Sequence, residues 1–297
     1  MTSPTLQQRL IAAMPAIFVV IWSTGFVVAR YAMPHAPPMK FLALRYLLSV
    51  ACFAVWAFSA GAAIPAGRAQ LGHMTITGVF LHAGYLGGVW AAIKLGMGAG
   101  LAALLVGLQP VLTAIWVSSS GGAVSKRQWG GLLLGLAGLA LVVWHKLGVG
   151  EIHTVNFMLA VGALLSITVG TLYQKKFVTP CDARSAGLVQ LSAALLVTLP
   201  LALLESEAMN WNAQVAGALA WSVLVMTLGG SSLLYLLIQR GAATSVSSLF
   251  YLVPPCTALM AWLLFGETLT AVTMAGMALT ALGVSLVLHT PAPAART

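Results

Sequence analysis

Hydrophobic positions along this chain come in long unbroken runs rather than in an alternating or heptad pattern, and short polar links separate the runs. Crossing a bilayer takes roughly 20 apolar residues in a helix. Ten stretches meet that length: 10–32, 39–60, 73–94, 99–119 and 127–145, then 155–176, 184–204, 215–239, 244–266 and 270–289. The links carry chain breakers, among them Pro34, Pro37 and Pro38, Pro65 and Gly67, Gly121 and Gly122, and Pro180. In lipid each backbone amide must be satisfied within its own segment, so these runs are read as helices.

The pattern occurs twice. Displaced by 145 residues, Gly25 falls on Gly170, Gly84 on Gly229, Pro110 on Pro255, Gly131 on Gly276 and Gly138 on Gly283, without a gap. The matching types are those needed where helices touch or bend. Five helices per copy is an odd number, so the second copy enters the membrane upside down. The fold expected is an all-α polytopic membrane protein, with ten transmembrane helices as two inverted five-helix repeats. The repeats cover residues 10–145 and 155–289.

Composition agrees with the pattern: 60% of residues are hydrophobic, 6% are charged, and the mean hydropathy is +0.97. A soluble domain carries roughly a quarter charged residues. The net charge of +9 comes from scattered single basic residues, which argues for membrane topology rather than nucleic acid. With the amino terminus cytoplasmic, nine Lys and Arg lie on that side and five on the other, Arg30, Lys40, Arg45, Lys94 and Lys146. Both termini are therefore expected in the cytoplasm. Glu151, Glu205, Glu207 and Glu267 fall on the far side. Cys52, Cys181 and Cys256 show no metal-ligand or CxxC spacing, and no cofactor is expected.

The segment Trp22-Ser23-Thr24-Gly25-Phe26, then Leu44-Arg45-Tyr46, then Phe265-Gly266-Glu267 with Gly276 and Gly283, resembles the drug/metabolite transporter superfamily, EamA type. The first copy departs from the pattern, with Gly121-Gly122 where Gly266-Glu267 would map. The chain looks most like the aromatic amino acid exporters of that superfamily. The resemblance implies export of small organic metabolites across a bacterial inner (plasma) membrane. The partners are then a small-molecule substrate and the lipid bilayer, without nucleic acid, and the expected unit is a monomer. Small multidrug exporters, similar in repeat unit, carry a glutamate in the first helix; Trp22, Ser23 and Thr24 stand here instead.

Candidate transport residues follow from polarity inside the spans. His82 is the one ionisable side chain near the middle of a span, and its mirror position is Thr227. The eighth span runs Thr227, Ser231, Tyr235, Gln239 at four-residue steps, matched in the third by His82, Leu86, Trp90 and Lys94, with Tyr85 adjacent. Two inverted copies presenting such faces would line a shared cavity, with Trp22, Ser23, Thr24, Gln109, Thr168 and Tyr251 among its walls. The plainer alternative is that His82 bonds a neighbouring helix and holds the bundle together. Pro110 and Pro255 sit near the centres of the fourth and ninth spans. With Pro254 they are candidate hinges, or else static kinks.

Gly131, Gly135 and Gly138, echoed by Gly276, Thr280 and Gly283, form small-residue faces suited to close helix packing. Arg45 is expected to extend outward to the interface, with Glu267 as an outer-side partner. Clustered carboxylates, HExxH spacing and a Ser/His/Asp set are missing, so the reading is a transporter and not an enzyme. No acid lies deep in a span, which favours facilitated, gradient-following transport. The alternative is a proton-coupled multidrug or cation antiporter working through His82.

Overall fold

A computed structural model describes residues 6–65, 67–121, 125–148, 150–230, 232–233 and 250–288. Every regular element among them is helical. They are α1 (Leu6–Ala32), α2 (Pro38–Ser59), α3 (Arg68–Gly78), α4 (Tyr85–Lys94), α5 (Ala99–Val106) and α6 (Gln109–Ser119). There follow α7 (Lys126–Gly148), α8 (Thr154–Phe177), α9 (Ala183–Leu204), α10 (Ala213–Ala220), α11 (Val253–Phe265) and α12 (Ala271–Leu288). Eight helical stretches are long and apolar enough to cross a membrane; two shorter apolar helices, Val253–Phe265 and Ala271–Leu286, complete the described set.

Local chemistry sets the helix ends. Asn212 caps α10 by accepting from the Val215 N–H at 2.9 Å, and His153 and Asn156 form a reciprocal box at the start of α8. Asp182 caps α9: its carboxylate takes the Arg184 N–H at 2.8 Å and the Arg184 guanidinium at 2.7 Å. Hydrogen bonding from Arg184 holds the Asp182 carboxyl below its ordinary value of 3.8. A depressed carboxylate contributes stability above the ordinary value and loses it as pH falls. Asp182→Ala is thus expected to cost about 1 kcal/mol at pH 7. In thermal melts at descending pH, the gap from wild type should close below about pH 4. A gap that persisted in acid would exclude the carboxylate as its source.

Two interruptions recur at mirror positions. Between α3 and α4 the rod widens into a π-helix, Val79–Gly84, and after α10 it does so again over Trp221–Gly230. Displaced by 145 residues, 79–84 falls on 224–229, inside the second π-helix. Such wide turns leave ladder bonds out of α register and cluster at functional sites. The fourth span is not one rod with a central kink. It stops at Val106 and restarts at Gln109, which places Pro110 in the first turn of α6. Pro254 and Pro255 likewise open α11, behind a 3-10 turn at Phe250–Leu252. A proline in a first turn replaces an amide that has no intrahelical partner anyway, so the break costs little there. The two breaks touch, since a Cβ built on Gly107 would lie 3.0 Å from Pro254 Cγ.

The core runs the length of the bundle, from Phe26, Phe41 and Tyr46 through Trp90 to Leu104. Outward faces are apolar too: Val55 and Phe58 are 71% exposed and Leu204 is 81% exposed, as expected of surfaces that meet lipid chains. Trp56, Trp129, Trp144 and Trp211 are exposed near helix ends, where amphipathic rings suit the interface. The small-residue faces of α7 and α12 lie directly against each other, and Thr280 Oγ1 sits 3.4 Å from the Gly135 carbonyl.

Candidate functional site

Successive residues of α2 reach the two π-helices. Arg45 donates from Nη2 to Thr227 Oγ1 at 3.2 Å, and the Tyr46 hydroxyl donates to the His82 carbonyl at 2.9 Å. The guanidinium lies 6.0 Å from the centre of the Trp90 ring, within cation–π range, and Trp90 packs on Phe41 with centroids 4.8 Å apart. Thr227 in turn donates to the Ser222 carbonyl, five residues back in the widened turn, at 2.8 Å. In an α-helix a threonine hydroxyl normally returns to the carbonyl three or four residues back. The π geometry therefore frees Thr227 Oγ1 to face α2.

The arrangement has a partner in the other copy. The mirror of Arg45 is Gln190 on α9, and the mirror of Thr227 is His82. Gln190 is 7% exposed and lies beside the half-buried His82 ring. Each second helix of a copy thus touches the widened turn of the opposite copy through a polar pair. The glycine contacts repeat as well: Gly25 rests against Met226, and Gly170 against Phe80 and Leu81.

Electrostatics separate Arg45 from the other charges. All five acids of the chain are described, and each is engaged at a helix end. Glu205 accepts from the Met39 and Lys40 amides at 3.0 and 2.8 Å, capping α2. Glu207 takes Lys94 at 2.6 Å, and its carbonyl takes Lys40. Glu151 holds Lys146 at 2.5 Å and the Gly98 amide at 3.0 Å. Glu267 accepts from the Ala99 amide at 2.9 Å and lies 3.9 Å from Arg30; Asp182 pairs with Arg184. Four of the five meet at one end of the bundle, where they stitch α1, α2, α5 and α7 to neighbouring links. None faces Arg45, which is 6% exposed.

The expected outward reach of Arg45 to Glu267 is therefore corrected. Its side chain turns inward against Trp90 and Thr227, and Arg30 takes the place beside Glu267. Among the other expected residues, Thr227, Tyr85 and Trp90 are buried around Arg45, and Trp90 is core at 1% exposure. Ser23 is fully buried and sits 3.4 Å from the Val253 carbonyl, while Thr257 returns a bond to the Ser23 carbonyl; these tie α1 to the start of α11. Thr24 accepts from Trp221 Nε1 at 2.9 Å, at the start of the second π-helix. Trp22 joins a ring cluster with Phe18 and Phe250. Gln109 bonds Thr171, and Thr168 bonds the Leu164 carbonyl of its own helix. Ser231, Tyr235 and the Tyr251 side chain lie outside the described residues.

A groove of about 310 Å³ lies between α1 and α10, lined by Val27, Tyr31, Gly217 and Trp221 among others; it is peripheral and largely apolar. Sequence reading missed Arg45, Gln190, Ser49 and Ser222 as site residues. The recurrence of a long polar side chain at mirror positions 45 and 190 was the available signal.

The model of the EamA-like transporter family matches residues 10–144 and again residues 155–289. A protein of Salmonella typhimurium named "Probable amino-acid metabolite efflux pump" is 28% identical over 274 residues, 89% of each chain. One of the same name from Escherichia coli is 26% identical, also over 89% of each chain. The "Uncharacterized transporter YvbV" of Bacillus subtilis is 25% identical over 93% of this chain and 90% of its own. A solved structure titled "Crystal structure of protein" superposes with a TM-score of 0.62 at 16% identity, covering 92% of this chain and 95% of that one. That likeness concerns the fold alone.

Proposed function

This chain belongs to the EamA-like transporter family, and from that premise we propose that it exports amino-acid metabolites, aromatic ones in particular, across a bacterial inner membrane by alternating access. The family is one of transporters rather than enzymes. Relatives named for amino-acid metabolite efflux support the cargo class, and a relative in Escherichia coli is named an inner membrane transporter. The aromatic preference is the finer part of the reading; it rests on Trp90, Tyr85 and Tyr46, which surround the buried Arg45 guanidinium.

The topology proposed is ten spans in two inverted repeats with both termini cytoplasmic. Two family matches in one chain, the paired π-helices and the nine-to-five basic count support it. On this topology the end where the four glutamates meet faces outward. The cargo path then runs between the π-helices, past His82, Thr227 and Arg45, with the breaks at Pro110, Pro254 and Pro255 as pivots. The observation that carries the reading is the Arg45–Thr227 hydrogen bond, with Gln190 beside His82 at the mirror positions. Carriers built from inverted repeats hold substrate at the repeat interface.

Transport is read as facilitated, because all five acids sit at helix ends and none is placed to carry a proton across. Protein in liposomes should equilibrate labelled phenylalanine and leave it at its equilibrium level under an imposed pH or sodium difference. Accumulation abolished by a protonophore or by His82→Ala would instead support the proton-coupled multidrug or cation antiporter. That rival also has to bring a cation past an unpaired guanidinium, which repels it.

A further inference from the structure

We infer that Arg45, with Ser49 and Ser222, forms a receptor for the carboxylate of the cargo, so that the protein selects its substrates by one negative charge on a ring-bearing or apolar body. The inference rests on the exporter reading and names the group that reading leaves open.

Three buried side-chain polar atoms have no partner among the described residues: Arg45 Nη1, Ser49 Oγ and Ser222 Oγ. They lie on two elements that touch, α2 and the second π-helix. Ser49 is one helical turn beyond Arg45 on α2, hence on the same face, and both serines are fully buried. Ser222 is joined to Arg45 through Thr227, whose hydroxyl accepts from the guanidinium and donates to the Ser222 carbonyl. Buried donors left unmade cost free energy, and a buried charge without a counter-charge costs far more. A fold that keeps all three together leaves that cost to be offset by something that enters.

The donors define what enters. A guanidinium offers a planar fork of N–H groups that matches a carboxylate, and two hydroxyls can complete its oxygen shell. The other described Lys and Arg lie in the terminal turns of their helices, so a single positive charge is present here. One fixed cation balances a monoanion and leaves a phosphate dianion uncompensated. The Trp90 ring beneath the guanidinium, with Tyr46 and Tyr85 beside it, supplies walls for an apolar or aromatic body. The same charge that welcomes a carboxylate excludes amines lacking one, so cationic drugs fall outside the substrate range.

The test uses four probes of one shape on the purified full chain: phenylalanine, 3-phenylpropionate, phenylalaninamide and phenethylamine, with binding read by calorimetry or tryptophan fluorescence. The two acids are expected to bind at least about tenfold tighter than the amide and the amine, the worth of one charged hydrogen-bonding pair. Arg45→Gln should erase that difference, and Arg45→Lys should keep part of it. Without ligand, Arg45→Gln is expected to melt no lower than wild type, because it removes an unpaired charge. Equal binding of acid and amide by wild type, a reading that needs no variant, overturns the inference. So does an Arg45→Gln protein that still prefers acids. Should 3-phenylpropionate bind through Arg45 while phenylalanine neither binds nor crosses liposomes, the amino-acid cargo fails and the carboxylate receptor stands.

Discussion

Gly138→Leu is expected to leave no folded, monodisperse protein. Gly138 lies where α7 crosses α12, and a Cβ added there would sit 2.5 Å from the Gly276 carbonyl oxygen and 2.7 Å from the Thr280 amide. Both obstacles are backbone, so neither can swing aside as a flexible side chain would. Gly283 faces the backbone of Gly131 and Gly135 in the reciprocal sense, so the contact has small residues on both sides. Lipid chains are as apolar as leucine, and this interface is held by close packing rather than by escape from water. Even Gly138→Ala should cost about 1–3 kcal/mol, the usual range for overpacking. Gly130 on the same helix has nothing within 4 Å of its Cβ position. Gly130→Ala is then the matched control, expected to be neutral or slightly stabilising. Equal behaviour of the 130 and 138 variants in thermal melts and size exclusion would refute the tight crossing.

Lys146→Met should be the most damaging change of a single charge. Lys146 and Glu151 lie 2.5 Å apart with side chains 6% and 19% exposed, so each was taken out of water for the other. Removing one member of such a pair strands its partner and typically costs about 3–5 kcal/mol. Glu151 also accepts from the Gly98 amide that opens α5, so a displaced carboxylate loosens the fourth span with it. The double change Lys146→Met with Glu151→Gln keeps an acceptor for Gly98 and leaves no orphan charge. It is expected to recover about half of the loss. Melting curves of the two single variants and the double settle the matter: equal, mild losses in all three would mean the pair is hydrated and weak.

How far the sequence foretold this can be judged residue by residue. Helix positions among the described residues were legible because lipid demands long apolar runs, and the glycines at 138, 276 and 283 recur because a Cβ at any of them would strike the facing helix between α7 and α12. The π-helices were not legible. Widening a turn needs only about one extra residue and no special residue type, so 79–84 reads as ordinary helix. The proline breaks were anticipated in place but not in form, since a stop and restart costs less than a kink through an intact ladder. Arg45 was misread for a physical reason. Two turns into α2, about 10 Å along the axis, a long side chain can reach either the interface or the interior. Hydropathy does not record which face of α2 meets Trp90.

The glutamate stitching at one end of the bundle has no counterpart at the other. The mirrors of Glu205 and Glu267 are Ala60 and Gly122, neither of which has a side chain that can accept a hydrogen bond or pair with a cation. A duplicated carrier with identical halves would spend equal time open to either side; on the topology proposed above, these extra contacts would weight this one toward the conformer in which the stitched end is shut. For an uncoupled carrier such a weighting cannot rectify net flow, because at equal concentrations detailed balance holds the two fluxes equal. It sets the half-saturation concentration separately on each membrane face, since apparent affinity scales with the fraction of carrier that presents its site there. The acids would then match a fixed pore-free machine to the steep solute ratio across its own membrane: ready to load on the populated side, and slow to be refilled from the dilute one.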